Sequence, residues 1–338
     1  MKPNAAPIAS LPEPILVVGA YGYRNLGDEA ILAGLLRELG TEARVTVVSR
    51  SPAETEGLHR VRAVGLASVI GELRRHRSVL IGGGGLFGRD MGRLGRLIAP
   101  FGFLAAATGR TVAVHGVGVD RSLPMTTVQA LRLVARHATT FSVRDSASLT
   151  TVARWGIEAA LVDDPSVAMP SASRQEGRAL LRSAGLDLSR PIVGLCLTEV
   201  EPAIGRQLAP AVRQLVDALP EVQFCVIPMS QHPFVPRHND LLLGLRLHAG
   251  LPRLAVLEGF HHPSRVLAAF GVLSAAVCMR YHSLLFAERA RTPIVAVPYA
   301  EKCDTWLAEH GMAATALTGP ALVDSLRSVM APRLVKSA

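Results

Sequence analysis

The sequence is poor in several features that would point to well-known classes of protein. Aromatic residues make up only 4% of the 338 residues, so stacking platforms for nucleic-acid bases are scarce. The net charge is +9, but the basic residues are scattered, and we expect no nucleic acid among the partners. The four cysteines form no C-x-x-C pair and no histidine spacing matches a metal signature. We therefore expect neither a disulfide framework nor a metal site.

Long apolar runs are also missing. No run reaches the roughly 18 residues of a membrane-spanning helix, and the longest apolar stretch, 97–119, is interrupted by Arg110 and His115. Residues 1–14 lack the apolar segment of a secretory signal, and we interpret them as a flexible tail. These absences predict a cytoplasmic protein. The apolar share of 49% is enough for a buried core, and the length suits two domains of roughly 150 residues.

Short apolar runs alternate with helical stretches along most of the chain. In the first half these runs lie at 15–20, 44–49, 78–85, 111–119, 139–145 and 159–167. After a loop-like stretch at 170–176 the pattern restarts, with runs at 191–197, 222–230, 254–260, 273–280 and 293–299. Continuous apolar strands separated by helices are typical of a parallel sheet that is covered on both faces.

The pattern predicts an α/β fold with two doubly wound, Rossmann-type domains that face each other across a cleft. We place the first domain at 15–170 and the second at 171–318, followed by a C-terminal helix and tail at 319–338. The carboxyl ends of the strands would line the cleft, which is where ligands bind in such folds.

The stretch YGYRNLGDEAIL, residues 21–32, lies between the first predicted strand and the first predicted helix. Phosphate often binds at such a place, but this stretch contains neither G-x-G-x-x-G nor G-x-x-x-x-G-K-[ST]. Either Asn25 or Asp28 is suited to cap the helix. The neighbouring acids Asp28 and Glu29 argue against an anion as the ligand of this loop.

Four consecutive glycines occur in IGGGGLFGRD, residues 81–90, directly after a predicted strand. A tight turn from strand to helix seldom needs four glycines. Glycine lets backbone N–H groups approach a ligand closely, so we expect Gly83, Gly84 and Gly85 to contact substrate. The alternative is a structural turn.

Cationic side chains follow three of the predicted strands. Arg144, in FSVRDSASL, could hold a carboxylate or phosphate bidentately, or could merely pair with Asp145 at the surface. Arg280, in VCMRYHSLLFAERA, precedes a helix start, where backbone donors favour an anion. Lys302, in VPYAEKCDTW, is the one lysine away from the termini. A compact cation there suits a phosphate or carboxylate, although a solvated loop lysine is the simpler interpretation.

Two polar groups accompany these cations. His282 lies two residues after Arg280, and Ser283, in the first turn of the predicted helix, is expected to contact substrate. A single histidine is more often structural, but its place at a strand end favours a functional role for His282. The loop at 228–240 also follows a strand and is expected to line the cleft, with Asp240 near the substrate.

Taken together and in this order, five stretches resemble the polysaccharide pyruvyl transferase family. They are YGYRNLGDEAIL, IGGGGLF, FSVRDSASL, MRYHSLLFA and PYAEK, and the resemblance spans about residues 15–310. It implies a GT-B-like fold and a transferase that moves the enolpyruvyl unit of phosphoenolpyruvate to a sugar. The product is a cyclic pyruvate ketal, and phosphate leaves. Bacterial cell-wall polymers and exopolysaccharides are the usual acceptors, and no cofactor is implied beyond phosphoenolpyruvate as the donor substrate.

The resemblance also implies site residues. Arg144, His282 and Lys302 match the positions that hold phosphoenolpyruvate, and Arg280 is retained beside them. Tyr281 departs from the family pattern, where leucine is frequent, and this departure bears on the choice of acceptor.

Ketal formation requires a proton donor and a base. His282 is the candidate for the acid or for a phosphate contact. Asp28 or Glu29 would take the proton of an acceptor hydroxyl, and Asn25 is expected to contact substrate, so we interpret the opening loop as the acceptor side of the site.

Two other interpretations share the predicted fold. One is a GT-B glycosyltransferase that uses a nucleotide sugar, and the other is a non-catalytic glycan-binding member. If the acceptor is lipid-linked, the positive charge would favour peripheral association with the inner face of an anionic membrane.

Overall fold

The computed structural model describes residues 7–88 and 92–334, which fall into two compact units. Unit 1 runs to Tyr23 and resumes at Gly27–Pro170, whereas unit 2 consists of Arg24–Leu26 and the chain from Ser171 onward. Each unit is built on a parallel sheet with helices on its faces. The predicted α/β fold with two Rossmann-like halves is therefore confirmed.

Unit 1 has a seven-stranded sheet. Its strands are β1 (Ile15–Tyr21), β2 (Val45–Ser49), β3 (Arg62–Gly65), β4 (Ser78–Phe87), β5 (Thr111–Val119), β6 (Thr140–Val143) and β7 (Ala160–Leu161). Its helices are α1 (Leu26–Leu39), which starts in unit 2, α2 (Pro52–His59), α3 (Val69–Glu72), α4 (Gly92–Ala107), α5 (Met125–His137) and α6 (Ser146–Arg154). The strand order is β3-β2-β1-β4-β5-β6-β7, and every neighbouring pair is parallel.

Apolar clusters cover both faces of this sheet. One cluster includes Ile31 and Leu35 of α1, and the other includes Ile98 of α4, Leu131 of α5 and Val152 of α6. Burial on both faces explains why the strands read as continuous apolar runs. Strand β3 was not among the predicted runs, because it is short and begins with the exposed Arg62.

The predicted flexible tail is wrong for residues 7–14. Ile8 and Leu11 are buried in the cluster that contains α1, and the Ser78 hydroxyl donates a hydrogen bond of 2.5 Å to the Pro12 carbonyl. These contacts bind the segment to β1 and β4 through apolar burial and backbone pairing. Residues 1–6 lie outside the described residues.

Unit 2 has a five-stranded sheet in the order β10-β9-β8-β11-β12, again parallel throughout. Its strands are β8 (Ile192–Cys196), β9 (Gln223–Val226), β10 (Leu254–Val256), β11 (Ala275–Cys278) and β12 (Ile294–Ala296). Its helices are α7 (Arg174–Ser183), α8 (Pro202–Ala218), α9 (Asp240–Gly250), α10 (Pro263–Phe270), α11 (Tyr281–Arg289), α12 (Glu301–Glu309) and α13 (Gly319–Leu334).

Helix α13 is an integral part of unit 2. Leu322, Leu326 and Met330 are buried in the cluster formed by the sheet and α8. The sequence pattern set 319–338 apart from the second domain, but this helix completes its core. Residues 335–338 lie outside the described residues. Within residues 7–88 and 92–334, no helix combines the length and apolar character that crossing a membrane requires.

Each sheet has a point where the order of connection reverses. It lies between β1 and β4 in unit 1 and between β8 and β11 in unit 2. In doubly wound sheets ligands bind beyond the carboxyl ends of the strands at such points. The opening loop follows β1, the glycine run lies in β4 and Arg280 follows β11, so three of the predicted stretches lie at these positions.

Candidate functional site

The opening loop of unit 1 is held by Glu29. The Gly22 N–H donates to Glu29 Oε1 at 2.8 Å, and Glu29 Oε2 lies 2.7 Å from His59 Nε2. Both side chains are almost fully buried, at 2% and 1% exposure. The two oxygens of Glu29 thus fix the loop and α2, which makes Glu29 a positioning residue and a poor candidate for the base.

Three residues of the same loop belong to unit 2. Asn25 forms an antiparallel bridge with Ser230, the Leu26 N–H donates to the Met229 carbonyl at 2.9 Å, and the Gln231 N–H donates to the Arg24 carbonyl at 2.8 Å. This pairing fixes where α1 begins. The sequence offered no signal for it, because the paired segments lie about 200 residues apart.

Of the two candidates for the helix cap, Asp28 does not fit, because it is the third residue of α1. Asn25, which precedes Leu26, occupies the capping position. Asp28 is partly exposed and lies in the first turn, where the positive end of the helix dipole stabilises a carboxylate. Its predicted role as a base therefore stays a prediction that its position permits.

The glycine run is part of a strand, not of a loop. Strand β4 extends through Gly85 to Phe87, and α1 packs directly against it. A Cβ added at these glycines would lie 2.3 Å from Leu35 Cδ1 at Gly82, 1.8 Å from Ile31 Cγ2 at Gly83 and 2.7 Å from Asp28 Oδ1 at Gly84.

The three contacted residues recur at helical spacing along one face of α1. Gly83 and Gly84 also have φ of 62° and 76°, which other residues rarely adopt. Helix packing and backbone conformation thus account for both glycines without a ligand, and the substrate contact predicted for Gly83 and Gly84 stays a prediction. Gly85 differs, because its nearest neighbour is Arg144 Nη2, 4.0 Å from the position of a Cβ.

Tyr21, which was not among the predicted site residues, is buried next to the glycine run of β4. Its buried hydroxyl donates to the Gly82 carbonyl at 2.8 Å. Burial raises the pKa of the Tyr21 hydroxyl well above its ordinary value, and the carboxylates of Asp28 and Glu29 raise it further. Tyr21 therefore stays protonated. Its position at the end of β1 was the signal that could have identified it.

Arg144 forms a buried ion pair within unit 1. Its Nη1 donates to Asp164 Oδ2 at 2.8 Å, and its Nε lies 3.6 Å from Asp145 Oδ2. The pairing of Arg144 with Asp145 exists, but it is not at the surface as considered from the sequence, because the Arg144 side chain is only 3% exposed. Asp145 caps α6 by accepting a hydrogen bond from the Ser148 N–H. The donor-binding role of Arg144 stays a prediction.

Arg280 forms the corresponding pair in unit 2. Its Nε donates to Asp240 Oδ2 at 2.8 Å and its Nη2 donates to Asp240 Oδ1 at 2.7 Å. The same carboxylate accepts hydrogen bonds from the N–H groups of Met229 and Ser230. Burial raises the pKa of Asp240, while Arg280 and the two N–H groups act against that shift. Asp240 is 1% exposed, so it positions Arg280 and the 229–230 segment instead of lining a cleft as predicted.

His282 and Ser283 have different environments. His282 is the second residue of α11, partly exposed, and its ring lies 5.3 Å from that of Tyr281. Ser283 is fully buried, and its hydroxyl donates to the Arg280 carbonyl at 2.5 Å. Ser283 thus stabilises the helix start, and the substrate contact predicted for it is wrong in this arrangement.

Lys302 is the second residue of α12, just as His282 is the second residue of α11. Its Nζ lies 5.8 Å from the centre of the Tyr299 ring, within the range of a cation–π contact. The Tyr299 hydroxyl also interacts with the Arg280 guanidinium. Since β11 and β12 are neighbours in the sheet, unit 2 gathers Arg280, His282 and Lys302 beyond the ends of two adjacent strands.

The fold and these strand-end groups define a class. The solved structure of UDP-GlcNAc 2-epimerase from Neisseria meningitidis bound to UDP-GlcNAc matches with a TM-score of 0.64 at 10% identity, covering 94% of this chain and 92% of that one. The structure of Anabaena HepE in complex with UDP and glucose matches with a TM-score of 0.57 at 14% identity, covering 93% of this chain and 89% of that one. The structure of ADP-heptose LPS heptosyltransferase II from E. coli matches with a TM-score of 0.53 at 15% identity, covering 95% of this chain and 100% of that one. The fold is therefore of the GT-B type.

The family is evident from the sequence. The model of the polysaccharide pyruvyl transferase family matches residues 25–301, which is most of the chain. This chain is therefore a member of the polysaccharide pyruvyl transferase family and a transferase, as its motifs indicated. No curated protein matches the sequence.

Proposed function

We propose that this chain transfers the enolpyruvyl unit of phosphoenolpyruvate to two hydroxyls of a sugar and releases phosphate. The acceptor is a sugar of a cell-wall polymer or exopolysaccharide, free or as a lipid-linked precursor. One observation carries the proposal: Arg280, His282 and Lys302 follow the ends of adjacent strands in unit 2. A donor with a carboxylate and a phosphate needs cations of this kind.

The proposed reaction balances in atoms and protons. A proton is added to the methylene carbon of phosphoenolpyruvate, which becomes a methyl group. One sugar hydroxyl then attacks the adjacent carbon and loses its proton. The bond from this carbon to the bridging oxygen then breaks, and phosphate leaves with that oxygen and the bonding electron pair. The second hydroxyl attacks the same carbon and loses its proton, which balances the proton that phosphate takes up. The sum is phosphoenolpyruvate and a diol giving a cyclic ketal and inorganic phosphate.

Each step is assigned to a residue type that suits it. Arg280 and Lys302 bind the anionic groups of the donor, and His282 delivers the proton or contacts the phosphate. Asp28 is the proposed base toward the acceptor hydroxyl, since both oxygens of Glu29 are already engaged. Arg144 is proposed as a further donor contact from the family resemblance.

The experiment is to incubate the purified protein with phosphoenolpyruvate and a panel of aryl glycosides and lipid-linked sugars. Phosphate release is measured together with the mass of the glycan. We expect both signals to rise together with one acceptor and neither without it. Phosphate release without ketal formation, or no turnover across cell-wall and exopolysaccharide acceptors, would contradict the proposal.

A second function is favoured by the structural neighbours, whose names refer to UDP-GlcNAc, UDP and ADP-heptose. It is glycosyl transfer from a nucleotide sugar. Thermal denaturation separates the two, because a ligand that binds the folded state raises the melting temperature. We expect phosphoenolpyruvate to raise it and UDP- or GDP-sugars to leave it unchanged. The opposite pattern would favour the glycosyltransferase.

A further inference from the structure

Helix α4 of unit 1 has an unusual outer surface. A helix at the surface of a soluble domain normally carries polar residues on its outer face. Yet α4, GRLGRLIAPFGFLAAA, has two charged residues among sixteen, and both are arginine. Leu97 is 65% exposed and Leu104 is 41% exposed, although Ile98 and Ala105 beside them are buried. Leu97 and Leu104 are seven residues apart, so they lie on the same side of the helix.

Two neighbouring helices cover the same face of the sheet. Leu73, just after α3, Ile98 of α4 and Leu131 of α5 share one apolar cluster, and the Arg110 Nε donates to the Leu73 carbonyl at 2.9 Å. Each neighbour adds exposed apolar side chains. The α3–α5 surface is the set of exposed apolar residues and exposed arginines on these elements: Ile70, Leu97, Leu104, Met125, Leu133, Arg74, Arg75, Arg96, Arg132 and Arg136.

The charge of this region is strongly one-sided. Residues 66–137 contain ten arginines, no lysine and three acidic residues, a balance of +7 in a chain whose net charge is +9. One of the three acids, Glu72, is buried and engaged by Arg62 and Arg75. The basic residues are scattered over the chain, but acidic residues are few in this region, so most of the net positive charge lies where the apolar helices are exposed.

Exposed leucines among arginines fit an anionic lipid bilayer better than other partners. A lipid surface takes up apolar side chains and attracts arginine through its negative potential. Nucleic acid would use the arginines but would find few stacking side chains. We infer that the α3–α5 surface docks on an anionic membrane, with Leu97 and Leu104 inserted between lipid headgroups. This inference does not depend on the proposed function.

The test is flotation of the full-length protein with vesicles. One set contains phosphatidylcholine alone, and the other contains phosphatidylcholine mixed with phosphatidylglycerol. We expect the protein to float with the mixed vesicles and to remain unbound with phosphatidylcholine. Raising the salt to about 1 M, where screening acts within about 3 Å, should weaken the binding.

Two double variants separate the apolar and the charged contribution. Leu97→Ser with Leu104→Ser should weaken partitioning by at least about tenfold. Arg132→Gln with Arg136→Gln should weaken it on the order of 30-fold. The matched controls are on unit 2: Leu242→Ser with Leu245→Ser, two exposed leucines on α9, and Arg174→Gln with Arg182→Gln on α7. Both controls should bind like the parent protein.

Several outcomes would overturn the inference. They are equal binding to both vesicle types, no binding to either, or loss of binding in the unit 2 controls and not in the α3–α5 variants. Vesicle binding that a DNA or RNA duplex abolishes, with the duplex held by the same arginines, would assign the surface to nucleic acid. Circular dichroism melts of each variant establish that the fold is intact, so a change in partitioning reports on the surface itself.

Discussion

Each unit places an arginine just beyond the end of a parallel strand and pairs it with a buried aspartate. Arg144 in unit 1 donates from Nη1 to Asp164 Oδ2 at 2.8 Å. Arg280 in unit 2 donates to both oxygens of Asp240, at 2.7 and 2.8 Å. The Arg144 side chain is 3% exposed and the Arg280 side chain is 11% exposed.

The two arginines differ in how they relate to the next helix. Asp145 comes after Arg144 and caps α6, so the acid serves the next helix. Arg280 occupies the capping position of α11 itself, and His282 comes two residues later. The same sequence signal, an arginine at a strand end, thus marks a buried ion pair in unit 1 and the edge of a cationic cluster in unit 2. Four sets of substitutions test this difference between the two units.

The largest expected effect comes from Arg144→Gln. It leaves Asp164 as a buried carboxylate without its main partner, and we expect a loss of about 3–5 kcal/mol in the free energy of unfolding. Denaturant titration measures it. The double variant with Asp164→Asn should recover most of the stability. If the double variant is stable but cannot bind phosphoenolpyruvate, Arg144 also has the donor role that the sequence predicted.

The second effect is catalytic and belongs to unit 2. His282→Ala should slow ketal formation by about 10³-fold, because a general acid typically contributes 10²- to 10⁴-fold. Partial exposure of His282 means that the melting temperature should change little. The matched control is Ser146→Ala, which lies two residues after Arg144 as His282 lies two after Arg280. Equal activity of His282→Ala and the parent protein would remove His282 from the mechanism.

The third test distinguishes a catalytic role of Asp28 from a structural role of Glu29, its neighbour in unit 1. Asp28→Asn should lower the rate of ketal formation by about 10²-fold while phosphoenolpyruvate still binds, since only the base is removed. Glu29→Gln should instead lower the unfolding midpoint, because it weakens the buried contact with His59. Steady-state kinetics and thermal melts of both variants measure this. Full activity of Asp28→Asn would refute its role as the base.

The smallest effect concerns the glycines. Gly83→Ala would place a Cβ 1.8 Å from Ile31 Cγ2, and we expect a loss of about 1–3 kcal/mol of stability from overpacking. At Gly85 the nearest atom among residues 7–88 and 92–334 is Arg144 Nη2, 4.0 Å from an added Cβ, so Gly85→Ala should be near neutral in stability. Denaturant titration compares the two. A rise in the KM for phosphoenolpyruvate in a stable Gly85→Ala variant would restore the ligand role to that glycine.

The periodicity of the sequence predicted most of the fold. Apolar runs marked six of the seven strands of unit 1 and all five of unit 2, because buried parallel strands are apolar throughout. Strand β3 was not predicted, because its sequence RAVG is short and begins with a charged residue. The family and the strand-end cations were also evident, because their motifs are local.

Long-range pairing could not be predicted. Asp240 and Arg280 are 40 positions apart, and neither sequence motif indicates that the two residues form an ion pair. The glycines were interpreted as a ligand cradle because the sequence does not reveal which helix packs on them. Glu29 and Ser283 were candidates because their residue types suit catalysis. In the structure both are buried, Glu29 against Gly22 and His59 and Ser283 against the Arg280 carbonyl.

The three-residue segment Arg24–Leu26 has a consequence for synthesis of the protein. Its partners, Met229–Gln231, leave the ribosome about 200 residues later, when unit 1 is already complete in length. The start of α1 must therefore wait for unit 2, although domains generally fold in the order of translation. A fragment that ends at Pro170 would carry this segment without Met229–Gln231. Separate expression of the halves is thus expected to yield an N-terminal fragment in which Arg24–Leu26 lack their backbone partners, although Glu29 still holds Gly22 and His59.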